Sequence, residues 1–325
     1  MILRDGTTAS IRVAHSNDEA AMTQFFASLS NESRRHRFFS QAVPDGKLVS
    51  SFCDASDPRK RLTLIVTQLT GGVERVIAVG TYMARDATAA EIGLAVADAC
   101  QGKGIGTLML ERLALIAAAN GIRHFWAMTM FENQQMLDVF RESGFDCRTK
   151  TDRGVVEIDL SLVPSAASVA HAELCDRVAT AASLRPFFHP NAVAIVGASR
   201  NPANIGTRLL QAAIDAGFQG TLYPINPKTA AIGSLRAYPS VRDLPEAPDL
   251  TVIVVPRDAV FEVVDDCAAR GVRAVVVITA GFAEIGAEGR ELQRQLVDKV
   301  RGHGMRLVGP NCLGLLNTDP AVRLN

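Results

Sequence analysis

The sequence is short of several things. One Trp and three Tyr stand beside 14 Phe, so the aromatics are mostly core-type residues, and the stacking platforms of single-strand nucleic-acid binders are missing. There is no excess of charge, because 34 Lys and Arg balance 34 Asp and Glu. That excludes a broad basic surface for a phosphate backbone. Residues 1–162 hold 18 basic and 19 acidic side chains, leaving 16 and 15 for the rest, so neither half is a basic arm. No apolar run approaches the roughly 20 residues that span a bilayer. The opening MILRDGTTAS is charged where a signal peptide is apolar. A soluble cytoplasmic protein that uses neither nucleic acid nor membrane is expected. The six cysteines (Cys53, Cys100, Cys147, Cys175, Cys267, Cys312) form no C-x-x-C pair, and no histidine accompanies them in a zinc-motif spacing. Reduced thiols and no metal are expected.

What is present suffices for two domains: 325 residues, 48% of them hydrophobic. The composition shifts at 164–183 (PSAASVAHAELCDRVATAAS), where Ala and Ser replace the strand-like run 155–160. A linker, in part helical, is placed at 163–184. It separates a first domain at 1–162 from a second at 185–316, and 317–325 reads as the stub of a following domain.

In the first domain, 90–96 (AEIGLAV) reads as a strand and 107–120 as a helix with Leu110, Leu113, Ala114 and Ala117 along one stripe. Gly121 stops it. A strand at 124–129, a helix at 133–143 and a stop at Gly144 follow. Between the first strand and its helix lies Q-G-K-G-I-G, residues 101–106. Backbone N–H groups at such a helix start point one way and bind an anion. Gly102, Gly104 and Gly106 let the backbone approach a pyrophosphate, and Lys103 adds charge. The spacing does not name the ligand, and an ordinary tight turn has the same glycines.

The second domain alternates β-branched runs at 192–196, 221–225, 250–255, 274–279 and 305–308 with helical stretches. Their continuous apolarity fits strands buried on both faces, and the alternation predicts a parallel, doubly wound sheet. A turn and a helix start follow the first of these strands at Gly197, Ala198, Ser199 and Arg200, a nucleotide-site location. After the next strand comes Lys228, where an NAD site favours an acidic residue, so NAD is disfavoured.

The strand ending L-A-V, then A-D-A-C and Q-G-K-G-I-G, resembles motif A of the GNAT acyl-CoA-dependent N-acyltransferases, and F-E-N-Q-Q-M-L-D-V-F-R-E-S-G-F resembles the motif that follows it. The resemblance covers roughly 1–162 and implies a mixed central sheet with flanking helices. It also implies acetyl-CoA as donor, with Gln101, Gly102, Lys103, Gly104, Ile105, Gly106 and Thr107 at the pyrophosphate, Leu94, Ala95 and Val96 beside the pantetheine, and Asn133 by the CoA arm. An ammonium must lose a proton before it attacks a thioester, since a lysine amine has a reference pKa of about 10.4. Glu91 stands where the resembling lysine acetyltransferases carry their glutamate base. Its neighbours Ala90, Ile92 and Leu94 are expected to desolvate it and raise its pKa. The alternative is a surface glutamate on a strand, the less favoured reading, and Glu132 is a weaker candidate. Many of these enzymes have a tyrosine that protonates the leaving thiolate; Phe140 occupies the corresponding position here and cannot. Arg34, Arg35 and Arg37 could line an acceptor site or form a solvated helix face.

The series G-A-S-R, Y-P-I-N-P-K, V-I-V-V-P, V-I-T-A-G-F and G-P-N-C-L-G, in order over about 185–316, closely resembles the CoA-binding domain of NDP-forming acyl-CoA synthetases. The resemblance implies a Rossmann-like domain in which residues 197–200 hold CoA phosphates, Lys228 the adenosine-phosphate end, and Val255, Pro256, Ile278, Thr279 and Ala280 the rest of the cofactor. Ala280 stands where the succinyl enzyme has glutamate. Cys312 reads as a packed thiol. In that family a phosphorylated histidine and an ATP-grasp domain follow; here only 315–325 remain, and His15, His36, His124, His171, His189 and His303 do not match that role. Acyl-CoA ligation is not expected of this chain, which reads as a fragment of a longer protein. GNAT domains joined to such segments occur in bacterial protein lysine acetyltransferases. Three readings follow: an N-acetyltransferase acting on protein lysines or small amines, with an acyl-CoA synthetase as one acceptor; a non-catalytic CoA sensor; or the CoA-binding piece of a synthetase.

Overall fold

The computed structural model describes residues 1–70, 73–163 and 165–324; Pro164 of the expected linker and Asn325 of the expected stub lie outside them. Chain order in the first half is β1 (Ser10–Val13), α1 (Glu19–Ser28), α2 (Asn31–Phe38), α3 (Gly46–Phe52), β2 (Arg61–Thr70), β3 (Val73–Ala84), β4 (Ala89–Val96), α4 (Ile105–Ala119), β5 (His124–Met130), α5 (Gln134–Arg141), β6 (Asp146–Asp152) and β7 (Val155–Ser161). Among the described residues these strands form one seven-stranded sheet in the order β1-β2-β3-β4-β5-β7-β6. Every pairing is antiparallel except β4 with β5. The mixed sheet is therefore as expected.

Both faces of that sheet are covered. The stripe Leu110, Leu113, Ala114 and Ala117 of α4 is buried, and it packs with Tyr82 and Phe125 of the sheet. On the other face Phe25, Phe26 and Phe52 of α1 and α3 pack on Ile65 and Val79. This is why β2 and β3 carry consecutive buried apolar residues and not an alternation.

The linker is helical almost throughout. Helix α6 (Ala166–Phe188) runs past the boundary drawn at 184/185, and its last turn buries Phe187 in the second domain's core. Then come β8 (Ala192–Val196), α7 (Ile205–Asp215), β9 (Thr221–Ile225), the short pair β10 (Ala231–Ile232) and β11 (Leu235–Arg236), β12 (Leu250–Ile253), α8 (Val260–Arg270), β13 (Ala274–Val277), α9 (Ala287–Gly302) and β14 (Arg306–Val308). The order β14-β13-β12-β8-β9 is wholly parallel. Every residue of β8 is buried, as a strand covered by helices on both faces must be. Past 316 the chain stays on the second domain: Val322 and Leu324 are buried with Phe187 and Leu210, and the Gln219 N–H donates to the Val322 carbonyl at 3.1 Å.

Residues 1–9 join the two halves. Arg4 N–H donates to the Lys103 carbonyl at 3.0 Å, while Thr8 donates its N–H to Gly304 at 3.1 Å and its hydroxyl to the Arg301 carbonyl at 2.7 Å. Arg273 reaches the Asp5 carbonyl. Gly6, at φ +82°, lies so close to the backbone of Ala182 and Ser183 in α6 that a Cβ would overlap it.

Candidate functional site

The first site arises where two strands part. β4 pairs with β5 only over Ala89–Glu91 against residues 124–126, while its other edge stays paired with β3 up to Val96. The backbone groups of Leu94 and the Val96 N–H thus face the gap, where an extended amide-bearing arm can satisfy them, while those of Ala95 turn to β3. The resulting cleft has a volume of about 820 Å³ and is floored by these residues and the glycine loop, a size typical of small-molecule sites.

The loop's glycines do different things. Gly102 and Gly104 have φ of +75° and +78°, which glycine adopts without strain. Gly104 is the N-cap of α4 and supplies no side chain, so the N–H groups of Ile105, Gly106 and Thr107 have no capping partner within the helix. These three residues line the cleft, and helix-start amides of this kind can bind an anion. Gly106 instead lets α4 approach α5, since a Cβ there would press on Val139 at 3.2 Å. Gln101 holds the loop in place by donating to the Val96 carbonyl at 3.2 Å and to the Ser33 hydroxyl at 3.3 Å.

Lys103 departs from expectation. Its Nζ lies 3.3 Å from Asp5, and the side chain is turned away from the cleft. The cation that borders the loop on the cleft side is Arg4, brought there by its backbone bond to Lys103. No local pattern pointed to it.

Glu91 lines the cleft but is exposed, not desolvated. Successive strand side chains point to opposite faces, so Ala90, Ile92 and Leu94 are buried on the far side while Glu91, Gly93 and Ala95 share the near one. Beside Glu91 lies Arg37, whose guanidinium rests on Gly93 where any Cβ would overlap it, 5.0 Å from the Phe38 ring centroid and 5.8 Å from that of Phe52. Burial lowers its pKa to about 10, with the Glu91 charge opposing the shift. The three arginines of α2 therefore separate. Arg34 caps the end of α1 at the Leu29 carbonyl and also donates to the Gln41 carbonyl, Arg35 pairs with Glu132 at 3.1 Å, and Arg37 enters the cleft.

Asn133 lies where expected, at the start of α5, buried and bordering the cleft; its Oδ1 accepts from Met136 N–H at 3.2 Å and its Nδ2 reaches Thr129 at 3.2 Å. Phe140 is buried at the cleft floor and offers no proton. His36 also lines the cleft, a group that sequence reasoning set aside.

The second site lies at the carboxyl ends of the parallel strands. The order reverses between β8 and β12, and Gly197–Arg200 and Val255–Pro256 follow those two strands. This is the switch point at which open α/β sheets bind ligands. Gly197 has φ +102° and lies against the Val254 carbonyl so closely that a Cβ would overlap it. Ala198 is fully buried, and the Ser199 N–H is taken by the Thr207 hydroxyl at 2.9 Å. Arg200 and Lys228 are exposed at the loop tips. Asn226 bonds the Ala198 carbonyl at 2.7 Å, and Thr279 the Val255 carbonyl at 2.7 Å, tying neighbouring strand ends together. Ile278 and Ala280 continue from β13, and Cys312 donates to the Val277 carbonyl at 3.4 Å, packed as expected.

The expectation that no histidine is spaced for a metal needs correction. His171 lies four residues before Cys175 on α6, one helical turn, with 3.3 Å between Nε2 and Sγ. The motif reading passed over it because α6 was taken for a linker.

Residues 17–145 match the acetyltransferase (GNAT) family model, and residues 191–318 match the CoA binding domain model. The chain thus joins a GNAT acetyltransferase domain to a CoA-binding domain, and acetyl-CoA or CoA is the ligand class of both. Among relatives, an acetate–CoA ligase [ADP-forming] II of Archaeoglobus fulgidus is 39% identical over 140 residues, 43% of this chain and 21% of that protein. The alpha subunit of acetate–CoA ligase [ADP-forming] I of Pyrococcus furiosus is 39% identical over 140 residues, 42% of this chain and 30% of that subunit. The chain spans less than a third of the length of these two ligases. Among solved structures, the GNAT domain of S. lividans PAT is 30% identical, covering 50% of this chain and 94% of that one, with a TM-score of 0.45. Among the described residues, no helix is long and apolar enough to cross a membrane.

Proposed function

We propose that the chain is an acetyl-CoA-dependent N-acetyltransferase acting on protein lysine amines, with a second domain that senses or tethers CoA. The observation that carries this reading is the single cleft that holds uncapped amides of residues 105–107 and unpaired β4 backbone together with the exposed carboxylate of Glu91. The amides take the pyrophosphate and the strand edge takes the pantetheine, which brings the thioester toward the Glu91 end.

There the acceptor nitrogen attacks the thioester carbonyl. A C–N bond forms, the C–S bond breaks, and the CoA thiolate leaves. The ammonium gives one proton to Glu91 through cleft water before it attacks, which the exposure of Glu91 admits, and the second, lost as the amide forms, passes through the same water to solvent. With Phe140 apolar, the thiolate leaves as an anion or takes its proton from water.

The test is acetyl-CoA-dependent thiol release with polyamines, peptides and acyl-CoA synthetases as acceptors. Glu91→Gln is expected to lower kcat/KM on the order of 10²–10⁴-fold while CoA binding holds. Release unchanged by Glu91→Gln sinks the assignment.

A second reading rests on the likeness to ADP-forming acetate–CoA ligases: the second domain supplies the CoA site of such a ligase, and other segments supply the phosphorylated histidine and nucleotide site. CoA binding without transfer to any acceptor favours it.

A further inference from the structure

Helix α6 meets α4 at a point where three ligand-type side chains come together. His171 and Cys175 are one turn apart on the same face of α6. Glu111 comes from α4, and the ligand atoms of all three lie within 4.8 Å of one another. Two further observations point to a cation. Glu111 Oε1 is shielded from solvent and has no hydrogen-bond partner, an arrangement that native structures avoid unless something fills the vacancy of bonding. The 3.3 Å between Sγ and Nε2, a hydrogen bond as the site stands, is close to the separation of about 3.5 Å that tetrahedral zinc imposes on one sulfur and one imidazole nitrogen.

We propose that Glu111, His171 and Cys175 form a zinc site that clamps α6 to α4, with the fourth position open to water. A thiolate, an imidazole and a carboxylate are a zinc-type donor set. Glu111 closes on the metal by rotation of its own side chain. Binding breaks the Cys175 S–H bond, forms a Zn–S bond and releases the proton to solvent. Arg4 and Arg112 are the cations that face the group, Arg4 toward Cys175 and Arg112 toward Glu111.

This inference is independent of acetyl transfer and is tested on the full chain after chelator treatment. Cobalt(II) is the probe. A sulfur-to-cobalt charge-transfer absorption is expected that saturates at one equivalent and vanishes on adding zinc. Cys175→Ser should abolish the band, Cys147→Ser should leave it, and His171→Ala and Glu111→Gln should each weaken binding tenfold or more. Zinc should also slow proteolysis within α6. No charge-transfer band at excess cobalt, or the same band and affinity in Cys175→Ser, overturns the proposal. Should Cys175→Ser fail to fold, unchanged cobalt affinity in both His171→Ala and Glu111→Gln overturns it equally.

Discussion

The two candidate CoA sites are built by opposite means. In the first domain a mixed sheet opens: β4 and β5 pair for three residues and then separate, leaving backbone groups and helix-start amides free around a cleft. In the second, a parallel sheet stays closed and the ligand position is set by a reversal of strand order. Its loops are already bonded to one another through Thr207, Asn226 and Thr279. The first arrangement leaves room for a second substrate beside the thioester. The second has rigid strand ends and exposed cations at its rim, which suits holding a cofactor without reacting it.

The largest effect that separates them should come from Gly197→Val. The residue has φ +102° and touches the Val254 carbonyl, so the change adds backbone strain and overlap costing about 3 kcal/mol or more. Calorimetry should show the second domain melting first, with thiol release by the first domain retained. A single unshifted transition would mean that the two strand ends separate easily, contrary to the closed arrangement. Next is Arg4→Ala, expected to raise the KM for acetyl-CoA roughly tenfold, the worth of one charge-assisted hydrogen bond, with kcat little changed; steady-state kinetics decides. Smaller is a pH effect confined to the first domain. Arg12 donates twice to Asp18 at 2.7 Å and holds its carboxyl below the usual range, with burial opposing. A depressed folded pKa gives stability that is present above the ordinary carboxylate value of about 3.9 and lost as pH falls through the lower one. Melting of the first domain should therefore show an acid-side decline that Asp18→Asn removes. The smallest effect is that of Lys103→Ala, for which the KM for acetyl-CoA should stay within a factor of two; a tenfold rise would return the loop lysine to the phosphate.

Much of the site was legible because its devices are local. The glycine loop, the strand before it and the helix after it are contiguous, and φ values above zero at Gly102 and Gly104 are what such a run predicts. The strands of the second domain announce themselves by apolarity on both faces. What was not legible depended on distant chain. Arg4 replaces Lys103 at the loop because Asp5, nearly a hundred residues earlier, draws the lysine aside. The expected desolvation of Glu91 failed for a reason that sequence does contain, since strand neighbours lie on the opposite face. Arg34, Arg35 and Arg37 look alike in a charge run, and only the strand beneath them, with Gly93 bare of a side chain, selects Arg37 for the cleft.

The strap formed by residues 1–9 has a consequence for the order of assembly. The Thr8 hydroxyl bonds a carbonyl 293 residues further along. At the 5–20 residues per second of synthesis, about 15–60 s pass before that partner exists. Leu3 and Arg4 can settle on the first domain early, whereas the bonds of Thr8 and Asp5 to residues 273–304 close only at the end of synthesis.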